Sequence, residues 1–322
     1  MGRSKQVAFL ILAHHEPVLL HRLLSRLSTE WSHCFVHVDR KVDVRQFQGD
    51  DSENVTFLPM RQRVNVHWCG YSTSVAILNL LRHAMASNPR FSRFVLLSGV
   101  DYPVLPMKRI REVISEDREY IQIDRETDPD GTSQYDLCLN RRFLGDNRLL
   151  NPRTARAKVD QVVRRLENRW VRLYPKGLRV FYGPTWWSVT RDGAAEVLRY
   201  VAENRAVARW FAGARVPDES LFHTILKASS RSEEIAFDGT RVGEPPFGMH
   251  RHALHYIDWT NRNPNLPRTL ELSDLEAITA SGALFARKMS SSRSAELLDS
   301  LDEACGAEPW SLSGKRHLVF SC

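Results

Sequence analysis

The 322-residue sequence has no apolar run near the ~20 residues that span a bilayer, so a membrane-spanning helix is not expected. Its first apolar run, Val7–Ala13, is short for a signal-peptide core, lacks a small-residue cleavage site and ends in His14-His15. It reads as a first buried strand. The five cysteines are odd in number and scattered, with no C-x-x-C pair, which excludes a disulfide framework and common zinc spacings and points to a reducing compartment. The Asn54-Val55-Thr56 sequon means little without a secretory signal. There is no Walker loop, G-x-G-x-x-G or G-x-S-x-G, which argues against P-loop NTPases, Rossmann dehydrogenases and common hydrolases. His250, His252 and His255 do not have a recognised zinc spacing, so no metal is assigned to them. Repeats and low-complexity segments are lacking.

Acidic charge is scarce in one region. From Arg141 to Arg191 thirteen basic residues stand against three acidic ones, within a net charge of +7. That bias suggests an anionic partner: a nucleotide diphosphate, an acidic glycan, a membrane surface or nucleic acid. No RNP or zinc-finger signature supports the last.

The N-terminal half alternates short apolar strands with helical patterns. Strands are expected at Val7–Ala13, Cys34–Asp39, Val55–Leu58, Phe94–Ser98 and Tyr120–Ile123. Helices are expected at Pro17–Leu27, from a Ser72 or Ser74 cap to about Ala86, and at Met107–Ile114. Such alternation predicts an α/β fold with a mostly parallel sheet and helices on both faces, its ligand beyond the carboxyl ends of the strands. Residues 124–153 read as an irregular loop over the site, with a turn at Asp128-Pro129-Asp130-Gly131. A basic amphipathic helix follows over 153–173. Val159, Val162, Val163, Leu166, Trp170 and Leu173 share one face, and Arg156, Arg164, Arg165, Arg169 and Arg172 crowd the other. Its apolar face is expected to pack on the core or to dock at a membrane. Further helices are read at Asp192–Glu203, Ser273–Ser281 and Arg293–Ala304, and strands at Trp186–Val189, near Ile235 and Leu254, and at Leu284–Lys288.

Glu219 is the leading catalytic candidate. Pro217 and Asp218 are helix-start residues, and Leu221, Phe222, Ile225 and Leu226 form an apolar face. Glu219 falls at the border of that face in the first turn, held rigidly and only partly solvated, which suits a general base. The competing reading is a glutamate that merely complements the helix dipole. Asp39 and Asp101 each end an apolar strand, where a carboxylate can accept from a uracil N–H or a sugar hydroxyl, or simply cap a loop. Tyr182-Gly183-Pro184-Thr185-Trp186-Trp187-Ser188-Val189 and His255-Tyr256-Ile257-Asp258-Trp259 set aromatics beside polar groups, as sugar sites do, and Trp68-Cys69-Gly70-Tyr71-Ser72 adds a turn glycine and an aromatic before a capped helix. Arg287 and Lys288 end a strand. Alternation along it points them to opposite faces, so only one is expected in a site. Arg268 lies a helix upstream, and such cations can clamp a diphosphate.

Seven blocks in order resemble glycosyltransferase family 14, the core 2/I-branching N-acetylglucosaminyltransferases and protein O-xylosyltransferases. They are Leu12-Ala13-His14-His15, Val36-His37-Val38-Asp39-Arg40-Lys41, Trp68-Cys69-Gly70-Tyr71-Ser72, Leu97-Ser98-Gly99-Val100-Asp101-Tyr102-Pro103, Pro217-Asp218-Glu219-Ser220, His255-Tyr256-Ile257-Asp258-Trp259 and Leu284-Phe285-Ala286-Arg287-Lys288. The resemblance implies a GT-A-type fold, a UDP-sugar donor, a glycan or other hydroxyl acceptor, and inversion at the anomeric carbon. It implies Glu219 as the base and a basic pair, Lys288 with Arg268, in place of a metal, so that no cofactor is expected. It places His14, Asp39, Trp68 and Asp101 at the donor, and Asp258 and Trp259 at the sugars, where the aromatic reading also puts Trp186. N-acetylglucosamine is the expected sugar, with xylose as the alternative and glucuronate a third family donor. A non-catalytic binding protein on the same fold is the reading from another class. The whole chain is expected to form one glycosyltransferase domain: residues 1–123 hold the nucleotide sugar, 124–290 the acceptor and catalytic base, and 291–322 a terminal helix and tail. Animal members carry a membrane anchor and luminal disulfides. Their lack here implies a cytoplasmic, bacterial-type enzyme, with peripheral contact at the inner membrane face through 153–173.

Overall fold

The computed structural model describes residues 6–49, 53–154, 157–242, 250–260 and 266–307. Arg156 and the tail to Cys322 lie outside them. Strands along the chain are β1 (Gln6–Ala13), β2 (Ser32–Val38), β3 (Val55–Phe57), β4 (Phe91–Ser98), β5 (Tyr102–Pro103), β6 (Glu119–Ile123), β7 (Arg125–Glu126), β8 (Phe181–Tyr182), β9 (Ser188–Thr190), β10 (Ile235–Asp238), β11 (Arg251–His252), β12 (His255–Ile257) and β13 (Phe285–Arg287). Seven of them form the central sheet in the order β10-β6-β9-β4-β1-β2-β3. Only the short β9 runs antiparallel to its neighbours in it. A four-stranded sheet, β11-β12-β13-β5, lies beside the main one, and β7 pairs with β8. This is the mixed α/β architecture expected of a GT-A-like fold.

β1 shows why the sheet is central. Its run Val-Ala-Phe-Leu-Ile is apolar at every position, the pattern of a strand buried on both faces. Alternation then divides it between two cores. Val7, Phe9 and Ile11 pack with Leu19, Leu20 and Leu23 of the helix Pro17–Leu27 and with Leu297 and Leu301 of the last helix. Ala8 and Leu10 pack with Ile77 and Leu81 of the helix Tyr71–Ser87, and with Leu221 and Ile225 behind Glu219. Each such Leu, Ile or Phe contributes roughly 1.5–3 kcal/mol by burial.

Four local expectations change. The helix Tyr71–Ser87 is not capped by Ser72 or Ser74; Gly70 precedes it, and Asp146 accepts from the Ser72 amide at 3.1 Å. A Cβ on Gly70 would lie 2.0 Å from Asp146 Oδ1, so the glycine makes room for this distant cap. The stretch 124–153 is not wholly irregular. The Asp128–Gly131 turn forms, but a helix Gln134–Asn140 follows, started by a capping box of Ser133 and Asp136. Glu219 ends a 3₁₀ turn, Pro217–Glu219, and Ser220 breaks the chain before the helix Leu221–Lys227. The basic helix is shorter than expected, Ala157–Arg169, and Arg172 leaves its polar side. Arg172 is buried over Trp210 and donates to the Leu139 carbonyl at 2.7 Å. Among the described residues no helix is long and apolar enough to cross a membrane.

Candidate active site

The carboxyl ends of β1 and β4 open into a cavity of about 1030 Å³. Leu12 to His15 and Ser98 to Val100 form its floor. This is where a parallel sheet leaves free backbone groups for a ligand. His14, Trp68, Trp186, Glu219, Trp259 and Lys288 all line the cavity, as do Arg287, Arg153, His15, Asp124 and Tyr182. Three non-glycine residues on or beside its rim take left-handed backbone angles: Glu16, Cys69 and Val216. Such angles are uncommon, and costly for a β-branched residue such as Val216, and they gather where a site is held in shape.

One wall is cationic. Glu16 accepts from the Ser291 amide and the Ser290 hydroxyl, both at 3.0 Å, and so ties the segment after β13 to the end of β1. That brings Lys288 to the floor. Its ammonium has no hydrogen-bond or ion-pair partner among the described residues. Burial, then Arg287 and Arg153, hold its pKa below the ordinary lysine value. Arg287 lies over the Trp186 ring at 4.1 Å, 3.4 Å from the buried Asp101. Arg153 stacks on Trp68 at 4.5 Å. His14 is pushed down to about 4 by burial and by His15, against the pull of Asp39, and is neutral at pH 7. A wall this basic, with little acid of its own, suits a dense anion.

The expected cations lie in different surroundings. Arg287 and Lys288 both enter the cavity, because β13 ends at Arg287 and strand alternation stops there. Arg268 does not line it. Its guanidinium is shared between Asp258, at 2.6 Å, and Asp274, at 2.5 Å. Those hydrogen bonds raise the pKa of Arg268, while Thr260 and Arg268 bring Asp258 to about 2 against the effect of burial. The backbone of Arg268 still matters, since its carbonyl accepts from the Lys288 N–H at 3.5 Å, while the Leu270 N–H donates to the Lys288 carbonyl at 2.9 Å.

Another part of the lining is acidic. The Tyr182 hydroxyl donates to the Glu219 carboxylate. The Gly183 N–H donates to the Glu219 carbonyl at 3.0 Å. A Cβ on Gly183 would lie 1.9 Å from the Gln122 carbonyl oxygen, so only glycine permits this approach. Thr185 donates to Asp218 at 3.0 Å, and Gln122 to Asp124 at 2.7 Å. Burial, then neighbouring Asp218, lift Glu219 well above the ordinary carboxylate range, while the Tyr182 bond acts the other way. A carboxylate poised nearer neutrality accepts a proton well.

Asp39 and Asp101 stand behind the cavity surface. Asp101 is fully buried, accepting from the Ser98 amide and hydroxyl and lying 3.4 Å from His255. Asp39 is buried beside His14 and accepts from Lys41 Nζ at 2.7 Å. Trp259 is exposed at the rim and donates to His252 at 3.2 Å. The histidines face different partners, His250 toward Asp258 and His255 toward Asp101. Among the described residues no three His, Cys, Asp or Glu side chains gather as metal ligands. Sequence reasoning named Tyr182 only within an aromatic run, without a role toward Glu219, and gave no role in the site to Asp124 or Arg153. Tyr182 stood next to a glycine and a proline, which was a usable signal of a constrained turn.

Basic side chains and a carboxylate thus line one cavity at the strand ends of an α/β sheet. The chain belongs to the Core-2/I-Branching enzyme family, whose model matches residues 7–281. That places it in a family of glycosyltransferases. It is similar to human Xylosyltransferase 2, 26% identical over 317 residues, which cover 94% of this chain and 34% of the relative. It is also similar to Xylosyltransferase of Ciona intestinalis, 22% identical, and to Xylosyltransferase oxt of Drosophila melanogaster, 23% identical over 88% of this chain and 31% of the relative. The chain thus spans about a third of the length of these curated relatives.

Proposed function

We propose that the protein is an inverting, metal-independent glycosyltransferase that moves a sugar from a UDP-sugar to an acceptor hydroxyl. The carrying observation is that Glu219 and the Arg287–Lys288 pair line one cavity at the ends of β1 and β4. Glu219 takes the acceptor proton as the hydroxyl oxygen attacks the anomeric carbon. The bond from that carbon to the diphosphate breaks on the opposite face, so configuration inverts and UDP leaves. Arg287 and Lys288 offset the charge that builds on UDP, with Arg153 near them. Each such charge-assisted hydrogen bond contributes roughly 1.5–3 kcal/mol. The Arg268 backbone meets Lys288, while its side chain, held by Asp258 and Asp274, is structural rather than a clamp. Residues 1–123 supply the donor floor and 124–290 the base, within one domain.

The relatives' names favour xylose as the sugar. N-acetylglucosamine is the second reading, carried by the resemblance to the core 2/I-branching enzymes. The test uses UDP-xylose, UDP-N-acetylglucosamine and UDP-glucuronate, with and without EDTA, on the wild type and Glu219→Gln. The variant is expected to bind UDP normally and lose about 10²–10⁴-fold in turnover. Near-normal turnover sinks the assignment of the base. UDP binding without turnover on any donor favours a non-catalytic binding protein.

A further inference from the structure

We infer that the helix Ala157–Arg169 and the chain after it dock on an anionic bilayer surface. The helix has four sides. Val163 and Glu167 are buried, and Glu167 accepts from the Leu144 amide at 2.7 Å, which fixes the helix on the protein. Arg164 and Asn168 face the cavity. The other two sides are outward. Val159, Val162 and Leu166 form an apolar stripe, 39%, 54% and 51% exposed, and Trp170 and Leu173 extend it at 56% and 86%. Lys158, Arg165 and Arg169 form a basic stripe next to it, all exposed. At 100° per residue the two stripes together cover about 120° of the helix surface.

This is a patch and not scatter. Seven of the eleven large apolar residues found exposed among the described residues lie between 149 and 173. A contiguous apolar patch of this kind marks an interaction surface. Cationic residues along one edge, with a tryptophan at its end, match the headgroup layer of an anionic membrane, where the stripe enters the acyl boundary and the arginines meet lipid phosphates. A nucleic acid would use the charges and leave the valines and Leu166 in water. Because another side of the same helix lines the cavity, docking sets the cavity about one helix diameter, ~10–12 Å, from the bilayer. An acceptor carried by a lipid would meet it there.

The test is co-sedimentation with vesicles of phosphatidylcholine alone or with about one-third phosphatidylglycerol, at low and high salt. It uses no turnover, so its result is independent of the glycosyltransferase reading. The wild type is expected to pellet with the anionic vesicles and to release as salt screens the charges. Arg165→Gln with Arg169→Gln should lower partitioning about thirtyfold, from two lost surface charges. Val162→Asn with Leu166→Asn should lower it at least tenfold. Thermal melts confirm that both variants fold. Three results overturn the inference. One is no binding of the wild type, or binding insensitive to both pairs. Another is a concentration-dependent dimer that the Asn pair dissolves, which assigns the face to a second copy. The third is polyanion binding that only the Gln pair loses.

Discussion

Replacing Tyr182 by Phe removes one hydroxyl and keeps the ring against Tyr135, 4.8 Å away. That hydroxyl donates to Glu219, the proposed base, and favours its charged form. A hydrogen bond to a charged group contributes roughly 1.5–3 kcal/mol. Glu219 lines the cavity, so water can take up part of the lost bond, and the lower end applies. About 1.4 kcal/mol is one pKa unit. Burial, Asp218 and Asp124 continue to oppose ionisation, so the pKa of Glu219 moves further up. The acid limb of kcat/KM should therefore shift by about one unit to higher pH, with about tenfold lower activity below it. Above the limb the variant should approach wild-type rates. The assay is a pH series of initial rates on the best donor, with UDP affinity followed alongside. A uniform loss at every pH would mean that Tyr182 shapes the site without tuning Glu219. A shift to lower pH would refute the electrostatic reasoning.

Lys288→Ala should lower kcat and weaken UDP binding, while EDTA leaves the wild type active; activity abolished by EDTA and restored by Mn²⁺ refutes the proposed metal-free clamp. Arg268→Ala should leave UDP affinity nearly unchanged but destabilise the fold by about 1–3 kcal/mol, because Asp258 and Asp274 lose their shared partner. A calorimetric melt and a UDP titration separate these effects, and a large loss of affinity would return Arg268 to the diphosphate. Glu219→Gln should raise the melting temperature near pH 7. The folded pKa of Glu219 lies above its ordinary value of 4.5, so ionising the unfolded chain removes stability as pH rises above that value. The gain should shrink toward pH 4, where both states are protonated, and a melt that shows no pH dependence contradicts the burial argument.

The sequence by itself determined the frame. β1 and the helix Pro17–Leu27 could be read almost to the residue, because apolar period is a local property that packing rewards wherever the segment lands. The ordered blocks named His14, Trp68, Glu219, Trp259 and Lys288, the aromatic reading named Trp186, and these six do line one cavity. Tertiary structure decided which charges were free to act there. Arg268 and Arg287 look alike in sequence, yet Asp258 and Asp274 occupy one, and the other lies in the cavity wall over Trp186. The cap of the helix Tyr71–Ser87 came from Asp146, on a distant loop. The wheel of the basic helix likewise named an apolar stripe without saying what covers it. Only the fold showed that Val163 turns inward while Val162 and Leu166 face out. Period fixes the direction of a side chain relative to its own element; its partners come from chain segments far away in sequence, and only the folded structure brings them into place.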